Sequence, residues 1–444
     1  MKTWKLSLAI GLVASTNALA VPYSTTTGTG GGADSYVQLG AATTNFGAAA
    51  DIVIKDSAAV GTTRKGYLRF DLPDGGTTSA SLGLTVSTNN EGGVGVTPQV
   101  HTVNVWGLRD GNAGEAWIEG NGGADNLPAG ELTWNNAPAN VTANNSFTSG
   151  AVFLGRYTVA STAVGGVNTF NAATLNMFLN EDTNGSATIM LQRVGGNGGH
   201  NLAYASDENA TLAAPVISGN AAGVGLLNIT TAQGLGADAF VQQGSATTNF
   251  GSGADLTIKG GAETTTRKVY LRYDLSSLGG TDALGAALNL DVTLNNGGGT
   301  PAGPPEDFTV EVFGLNNGDF GELWNEGTIN WNNAPANTTD NGLLANAVSL
   351  GSFIVPESNA PYGVMFSSAA LLNFINADTN GVATFILRRT SAGTTSNLVF
   401  GSAEGTAGAA PRLSLLVTTI PEPATALTGL LGMALLAVRR RRMA

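Results

Sequence analysis

The chain of 444 residues contains no cysteine, only two histidines and a low fraction of charged residues (12%). The absence of cysteine excludes a disulfide framework, a thiolate nucleophile and a cysteine-based metal site. Because His101 and His200 are the only histidines, a metal cluster of several histidines is also excluded. A secreted β protein without disulfides must rely on a large core or on bound ions, which is more typical of bacteria than of animals.

The amino-acid composition is dominated by residues that favour turns and strands. Glycine accounts for 62 residues, and Asn, Thr and Ala are plentiful. Thr and Val favour strands, whereas Gly and Asn favour turns, so the composition is typical of turn-rich β structure. The hydrophobic fraction of 42% argues against disorder, which combines low hydrophobicity with high charge.

The first 20 residues have the three parts of a secretory signal peptide. Two lysines precede a short apolar run, and Ala18-Leu19-Ala20 forms an A-x-A cleavage site. The apolar run is too short to span a membrane. We therefore expect residues 1–20 to be removed after Ala20.

The last 25 residues, 420–444, form a second processing signal. Pro421-Glu422-Pro423 precedes an uncharged, mostly apolar segment, residues 424–438. The chain then continues with four arginines, Arg439, Arg440, Arg441 and Arg442. The apolar segment predicts a helix of about 22 Å, which flanking residues can extend across a bilayer. The arginines place the C-terminus in the cytoplasm.

This three-part tail closely resembles the PEP-CTERM sorting signal of Gram-negative bacteria. The resemblance implies recognition by an exosortase-type membrane protease and cleavage near Pro421-Glu422-Pro423. It also implies transient anchoring in the inner membrane and delivery to the cell surface or the extracellular matrix.

The body of the chain between the two signals is strongly acidic. Residues 21–419 contain 14 basic and 31 acidic residues, a net charge of −17. Because nucleic-acid binding needs a basic face, a nucleic-acid partner is disfavoured. An affinity for cations is the simpler expectation.

The body consists of two copies of one unit, because five segments recur in the same order. The pairs are ADSYVQLGAATTNFGAAADIVIK with ADAFVQQGSATTNFGSGADLTIK, RKGYLRFDL with RKVYLRYDL, VWGLRDGNAGEAWIEG with VFGLNNGDFGELWNEG, WNNAPA with itself, and FLNEDTNGSATIMLQR with FINADTNGVATFILRR. We place the units at residues 21–219 and 224–419. Each is long enough to be a domain, so we interpret the body as a tandem duplication.

Alternating apolar and polar residues predict strands throughout each unit. In RKGYLRFDL the leucines and the phenylalanine share one face, opposite the charged residues and the tyrosine. Many such segments separated by Gly/Asn turns predict an all-β fold of two tandem antiparallel β-sandwiches of jelly-roll type, followed by the transmembrane sorting helix. Helical spacing of apolar residues predicts one short helix before each DTNG, capped by Asn171 or Ser367.

The ordered motifs resemble the DNRLRE domain family, which is related to disaggregatase repeats and to carbohydrate-binding modules of jelly-roll type. The matching elements in each unit are A-D-x-(Y/F)-V, N-F-G, RKxYLR(F/Y)DL, W-x-E-G, W-N-N-A-P and a late S-x-E. The resemblance implies a β-sandwich and, in some members, polysaccharide binding. It assigns no site residue.

The best candidate for a ligand site is a basic strand face present in both units. It comprises Lys65, Tyr67, Arg69, Lys268, Tyr270 and Arg272. With the nearby Lys55, Arg64, Lys259 and Arg267 it contains eight of the 14 basic residues of the body. Cations beside a tyrosine can bind a uronate carboxylate while the ring stacks on a sugar. The alternative is a set of salt bridges to the neighbouring strand.

Two further motifs carry carboxylates. E-x-W-x-E occurs as Glu115-Trp117-Glu119 and as Glu322-Trp324-Glu326. It is compatible with a structural role, with calcium or sugar binding through Glu119 and Glu326, or with glycoside hydrolysis. Each DTNG begins like a calcium loop but has leucine where that loop needs its last Glu, so a helix-to-strand turn is predicted.

The hexapeptide WNNAPA, at residues 134–139 and 331–336, contains no general base and no nucleophile. Asn tolerates left-handed geometry and Pro fixes φ, so the motif predicts a turn whose tryptophan covers one end of the core. Neither His101 nor His200 belongs to the shared unit, which excludes a duplicated nucleophile–base pair.

These patterns predict a non-catalytic protein that binds or organises extracellular polysaccharide, with avidity from its two modules. The expected partners are the polysaccharide, signal peptidase and the exosortase-type protease, with calcium as the one candidate cofactor. The alternatives are a polysaccharide-degrading enzyme of the disaggregatase type and a purely structural matrix component.

Overall fold

The structure is a computed structural model, and its described residues are 20–57, 60–90, 99–123, 130–195, 200–261, 264–296, 307–358, 361–390 and 397–418. The predicted sorting signal and the predicted signal peptide, apart from Ala20, lie outside the described residues. Within the described part of the chain, no helix is long and apolar enough to cross a membrane.

The first unit contains eleven strands and one α-helix within the described residues. They are β1 (Val21–Thr26), β2 (Ala33–Gln38), β3 (Asp51–Ile54), β4 (Arg64–Asp71), β5 (Thr77–Asn90), β6 (His101–Leu108), β7 (Ala151–Val159), β8 (Val167–Phe170), α1 (Ala173–Leu179), β9 (Ser186–Val194), β10 (Asn201–Ala205) and β11 (Val216–Ala221).

The second unit repeats this series, again counted over the described residues. It comprises β12 (Val224–Thr230), β13 (Ala237–Gln242), β14 (Asp255–Ile258), β15 (Arg267–Asp274), β16 (Gly285–Asn296), β17 (Phe308–Leu315), β18 (Ala347–Val355), β19 (Tyr362–Phe366), α2 (Ala369–Asn376), β20 (Val382–Arg389), β21 (Asn397–Gly401) and β22 (Arg412–Thr418). The all-β prediction is confirmed.

Each unit is built from two antiparallel sheets. In the first unit one sheet has the order β1-β11-β5-β10-β3, with β8 also paired to β5, and the other has the order β2-β4-β9-β6-β7. The second unit has the same two arrangements, with β13-β15-β20-β17-β18 as the counterpart of the second sheet. Leu68 and Phe70 of β4 share a buried cluster with Leu82 and Leu84 of β5, so the sheets pack face to face.

A short parallel strand pair joins the two units. Residues Gly363 and Val364 of β19 pair with Val152 and Phe153 of β7, which makes one sheet of each unit continuous with the other. Ion pairs also cross the junction, namely Arg109–Asp291, Arg156–Asp307 and Arg412–Glu181. The units are therefore in contact through backbone pairing and through charge.

Both predicted helices are present, and each is followed by the predicted turn into a strand. The caps lie one residue later than predicted. Ser368, and not Ser367, accepts the N–H of Leu371 at 2.9 Å, and Ala172, and not Asn171, occupies the cap position of α1. In the DTNG turn the carboxylate of Asp182 accepts the N–H of Gly185 at 2.6 Å, which closes the turn before β9.

Candidate functional site

Lys65 lies inside the protein beneath the WNNAPA loop. Its ammonium donates to Asn140 Oδ1 at 2.6 Å and to the carbonyls of Asn144 at 3.2 Å and Ser146 at 2.6 Å. The same nitrogen lies 4.8 Å from the centre of the Trp134 ring, a cation–π contact. Burial lowers the pKa of Lys65 well below its usual value.

Tyr67 is also buried, and its hydroxyl donates to the carbonyl of Pro138 at 3.2 Å. The second unit repeats both anchors. Lys268 donates to Asn337 Oδ1 at 2.7 Å, and Tyr270 donates to the carbonyl of Pro335 at 3.1 Å. Burial lowers the pKa of Lys268 to about 8.

These contacts correct the predicted open ligand face. Four of its six residues, Lys65, Tyr67, Lys268 and Tyr270, are completely buried (0% exposed) and cannot reach a glycan at the surface. The reason is that the face of β4 and β15 opposite the sandwich core is covered by the WNNAPA loop. Alternation correctly predicted two faces, but it gave no sign that a loop packs on the second.

Arg69 and Arg272 are only partly buried, and both support a neighbouring tryptophan. Arg69 donates to the carbonyls of Gly31 at 2.8 Å and of Trp117, and its guanidinium lies 5.2 Å from a Trp117 ring centre. A cleft of 720 Å³ opens beside Arg69 and Trp117 and is also lined by Glu119. Arg69 therefore borders a surface that a ligand can enter.

The same cleft position differs between the units. Ala113 and Ala116 line it in the first unit, whereas the aligned residues of the second unit are Phe320 and Leu323. Phe320 is fully exposed and Leu323 is exposed. An exposed aromatic ring is suited to stacking on a sugar ring.

The first glutamate of each E-x-W-x-E motif has a structural role. Glu115 Oε2 accepts the N–H of Gly111 at 3.2 Å and the side-chain amide of Asn184 at 2.8 Å. Glu322 makes the equivalent contacts with Gly318 and Asn380. These bonds fasten the DTNG turn to the loop that carries the tryptophan.

The second glutamate lies in an acidic cluster. In the first unit ligand atoms of Asp34, Glu119, Asp207 and Glu208 lie within 4.8 Å of one another. Burial raises the pKa of Asp34 to about 8, and the charges of Asp207 and Glu119 add to the shift. Burial also raises the pKa of Glu119, to about 7.

The second unit contains the corresponding cluster of Asp238, Glu326 and Glu404, again within 4.8 Å. Burial raises the pKa of Asp238 to about 7. Glu119 and Glu326, predicted from the sequence as candidate metal ligands, are thus brought together with other carboxylates. Sequence reasoning missed the two buried aspartates, although the A-D pair that opens each unit was a visible signal.

A pair of like charges faces each other at one end of the basic strand. Lys55 and Arg64 are directly opposite across an antiparallel bridge, with N–H···O distances of 3.1 and 2.9 Å. Lys259 and Arg267 form the same bridge in the second unit, where Lys259 is only 8% exposed, whereas Lys55 in the first unit is partly exposed. Among the described residues neither lysine forms an ion pair with a carboxylate. We call each pair, with its buried arginine neighbour Arg193 or Arg389, a basic corner.

The cations of each basic corner repel one another, although in the first corner the carboxylate of Asp56 acts on Arg193 with the opposite sign and raises its pKa against the larger lowering by burial. Burial lowers the pKa of Lys55, and the positive charges of Arg64 and Arg193 lower it further. The pKa of Lys259 is likewise lowered by burial and by the positive charges of Arg267 and Arg389. The like charges are therefore close enough to interact.

A family model for carbohydrate-binding module family 96 matches the chain twice, at residues 25–218 and 230–417. The chain belongs to this family. The two matched regions coincide with the two sandwich units, so the protein contains two tandem family 96 modules. The tandem arrangement expected from the internal repeats agrees with these matches.

Two solved structures are similar at a low level. Structures of PNGF-II in the C2 and P21 space groups show 9% and 10% sequence identity, cover 83% and 82% of this chain, and give TM-scores of 0.26 and 0.23. The chain spans 62% and 65% of their lengths. Similarity at this level supports no argument about function. No curated protein matches the sequence significantly.

Proposed function

We propose that the protein is an exported, non-catalytic binder of acidic polysaccharide, and that the basic corner of each module binds a carboxylate of the polymer. The observation that carries this proposal is the cross-strand pair of like charges in both modules. Like charges directly opposite on a sheet destabilise it. Their presence in both copies is explained if an anion neutralises them.

Arg64 is held in position for such a ligand. Its Nε donates to Gln38 at 2.7 Å and one terminal nitrogen donates to Asn201 at 3.1 Å. Arg267 makes the same two contacts with Gln242 and Asn397. The guanidinium orientation is thereby fixed before binding, which lowers the entropy cost of holding a carboxylate.

The strongly acidic body strengthens the argument for a localised site. With a net charge of −17 on residues 21–419, most of the surface repels a polyanion. We therefore expect binding to concentrate at the corners, where an oriented arginine lies beside a lysine. Two corners on one chain add avidity when a single polymer reaches both.

The location of the protein forms a second part of the proposal. The signal peptide at residues 1–20 and the tail at residues 420–444 support export, processing by an exosortase-type protease and delivery to the surface or matrix of a Gram-negative bacterium. A secreted binder with two modules can organise polysaccharide there. A fusion of the tail to a reporter tests this, because loss of Pro421-Glu422-Pro423 is expected to leave the reporter in the inner membrane.

Affinity electrophoresis in gels containing alginate, polygalacturonate or a neutral glucan tests the binding proposal. We expect retardation by the acidic polymers, and an apparent Kd at least about tenfold weaker when Lys55→Gln, Arg64→Gln, Lys259→Gln and Arg267→Gln are combined. Arg388→Gln is the control, because this arginine is already paired with Glu311 within the second module. Equal weakening by the control would show a general charge effect and contradict the site.

The same preparations separate binding from degradation. Because we propose a binder, incubation with each polymer is expected to release no new reducing or unsaturated ends. Their release by the pure protein would favour the degrading enzyme.

A further inference from the structure

Three segments distant in sequence meet at the acidic cluster of each module. In the first module Asp34 lies in β2, Glu119 lies in the loop that follows Trp117, and Asp207 and Glu208 lie in the turn after β10. Carboxylates that are more than 170 residues apart along the chain, those of Asp34 and Glu208, are thereby brought together. Assembling like charges in this way is unfavourable unless something compensates them.

The two modules position the buried aspartate identically. Asp34 Oδ2 accepts hydrogen bonds from the hydroxyl of Thr27 at 2.6 Å and from the backbone N–H of Asp207 at 3.1 Å. Asp238 Oδ2 accepts hydrogen bonds from the hydroxyl of Thr231 at 2.5 Å and from the backbone N–H of Ala403 at 3.0 Å. In each case one carboxylate oxygen is fully used by the protein.

The backbone at this aspartate also orients the glutamate. The N–H of Asp34 donates to Glu119 Oε1 at 2.9 Å, and the N–H of Asp238 donates to Glu326 Oε1 at 2.7 Å. Among the described residues, the second oxygen of each glutamate has no hydrogen-bond partner and is available to another ligand.

The other oxygen of each aspartate, Oδ1, has no hydrogen-bond partner within the described structure. Asp34 and Asp238 are each only 1% exposed, so water cannot readily solvate this oxygen. An unpaired buried carboxylate oxygen is costly. It occurs at the same place in both modules, and in both it lies among further carboxylates.

We infer that each module binds one calcium ion, held by Asp34, Glu119 and Glu208, with Asp207, in the first module and by Asp238, Glu326 and Glu404 in the second. Calcium takes carboxylate oxygens at about 2.3–2.6 Å, so oxygens on opposite sides of one ion are about 5 Å apart. The observed spread of at most 4.8 Å fits this arrangement. An all-oxygen set without histidine or cysteine suits a hard cation.

The sites differ in charge. The first has four carboxylates and the second three, because Ala403 occupies the position of Asp207. Since the number of charged ligands tunes calcium affinity, the first site is the tighter one. Asp207→Ala makes the first site resemble the second.

Calcium binding does not depend on the proposed polysaccharide function, and it is measured without any glycan. The exported body, residues 21–419, is freed of metal with a chelator and titrated calorimetrically with CaCl2 and separately with MgCl2. We expect two calcium ions per chain, a higher thermal midpoint with calcium, and at least about tenfold weaker binding of magnesium, which demands stricter octahedral geometry.

Substitutions assign the two sites. Asp34→Asn and Asp238→Asn are each expected to reduce the stoichiometry from two to one. Because these buried residues affect folding, the exposed Glu208→Gln and Glu404→Gln provide a second test, each weakening one site at least about tenfold. Glu311→Gln is the control, since Glu311 is paired with Arg388 away from both clusters.

Two outcomes would overturn the inference. One is an absence of calcium uptake by the folded, chelator-treated body together with an unchanged thermal midpoint. The other is calcium binding that survives Glu208→Gln and Glu404→Gln with unchanged affinity and stoichiometry, because the ions would then lie elsewhere.

Discussion

The two modules share their internal anchors but differ in the residues that they expose. Trp134 and Trp331 each lie 4.8 Å from a buried lysine nitrogen and belong to the same loop motif. The aligned cleft residues are Ala113 in one module and the fully exposed Phe320 in the other. Duplication has therefore kept the supports of the fold and of the basic corners, while the cleft has diverged.

The WNNAPA motif and the basic strand pack against each other. Lys65 and Tyr67 of the strand donate hydrogen bonds to a side chain and a backbone carbonyl of the loop. Ala139 and Ala336 have φ values of 53° and 54°, a left-handed conformation that non-glycine residues rarely adopt. The anchors hold this strained turn in place in both modules.

The largest effect is expected from removing the tryptophans. Trp134→Ala should lower the free energy of unfolding by about 3–5 kcal/mol, because it leaves a cavity over Lys65 in a fully buried position. Trp331→Ala should act in the same direction. Trp134 is expected to cost more, since its Nε1 also donates to the carbonyl of Thr142 at 2.9 Å.

Denaturant unfolding followed by circular dichroism measures both losses. The exposed Phe320→Ala is the control and is expected to change stability by less than about 0.5 kcal/mol. A loss below about 1 kcal/mol for either tryptophan would show that the loop is not a support of the module.

Much of this fold could be predicted from the sequence, because duplication displays each signal twice. The repeated segments predicted the same strands, helix and turn in both modules, and period-two alternation predicted the all-β class. The site was harder. Alternation predicts which side chains share a face, but whether a loop covers that face depends on long-range packing, so Lys65 and Tyr67 were placed at the surface.

The acidic clusters also depend on long-range packing that the sequence pattern does not reveal. Glu119 was recognised from its motif, but Asp34 and Glu208 join it only when β2 and the turn after β10 meet. A single sequence does not show which distant segments contact each other in the folded protein. The late S-x-E of each unit was a usable signal, because Glu208 and Glu404 belong to it.

An intermediate effect of pH is expected from His101, which has no counterpart histidine in the second module. Burial lowers the pKa of His101 to about 4, and Arg193 and His200 contribute. The unfolded chain binds a proton near pH 6.5 while the folded module does not, so the free energy of unfolding falls as the pH drops from about 6.5 to about 4. The expected loss is about 2–3 kcal/mol, because the pKa differs by about 2.5 units between the folded and unfolded states and each unit contributes about 1.4 kcal/mol.

His101→Phe is the matched variant, because Phe308 occupies this position in the second module. Thermal unfolding of the wild type and the variant is measured at pH 7 and pH 4.5. Because the same carboxylates titrate in both proteins, the difference between their losses of stability reports the contribution of His101. The variant should lose less stability at pH 4.5 than the wild type. Equal losses would show that His101 does not contribute to the acid sensitivity.

The smallest effect is expected at the diverged cleft. If the exposed Phe320 stacks on a sugar ring, Phe320→Ala should weaken polysaccharide binding about fivefold, since such a contact contributes about 1 kcal/mol. The reciprocal Ala113→Phe should strengthen binding by the first module, because Ala113 lines the 720 Å³ cleft beside Trp117. Affinity electrophoresis with neutral and acidic polymers measures both changes. If neither variant alters retardation while the corner substitutions abolish it, the corners bind alone and the divergence of the cleft has no part in recognition.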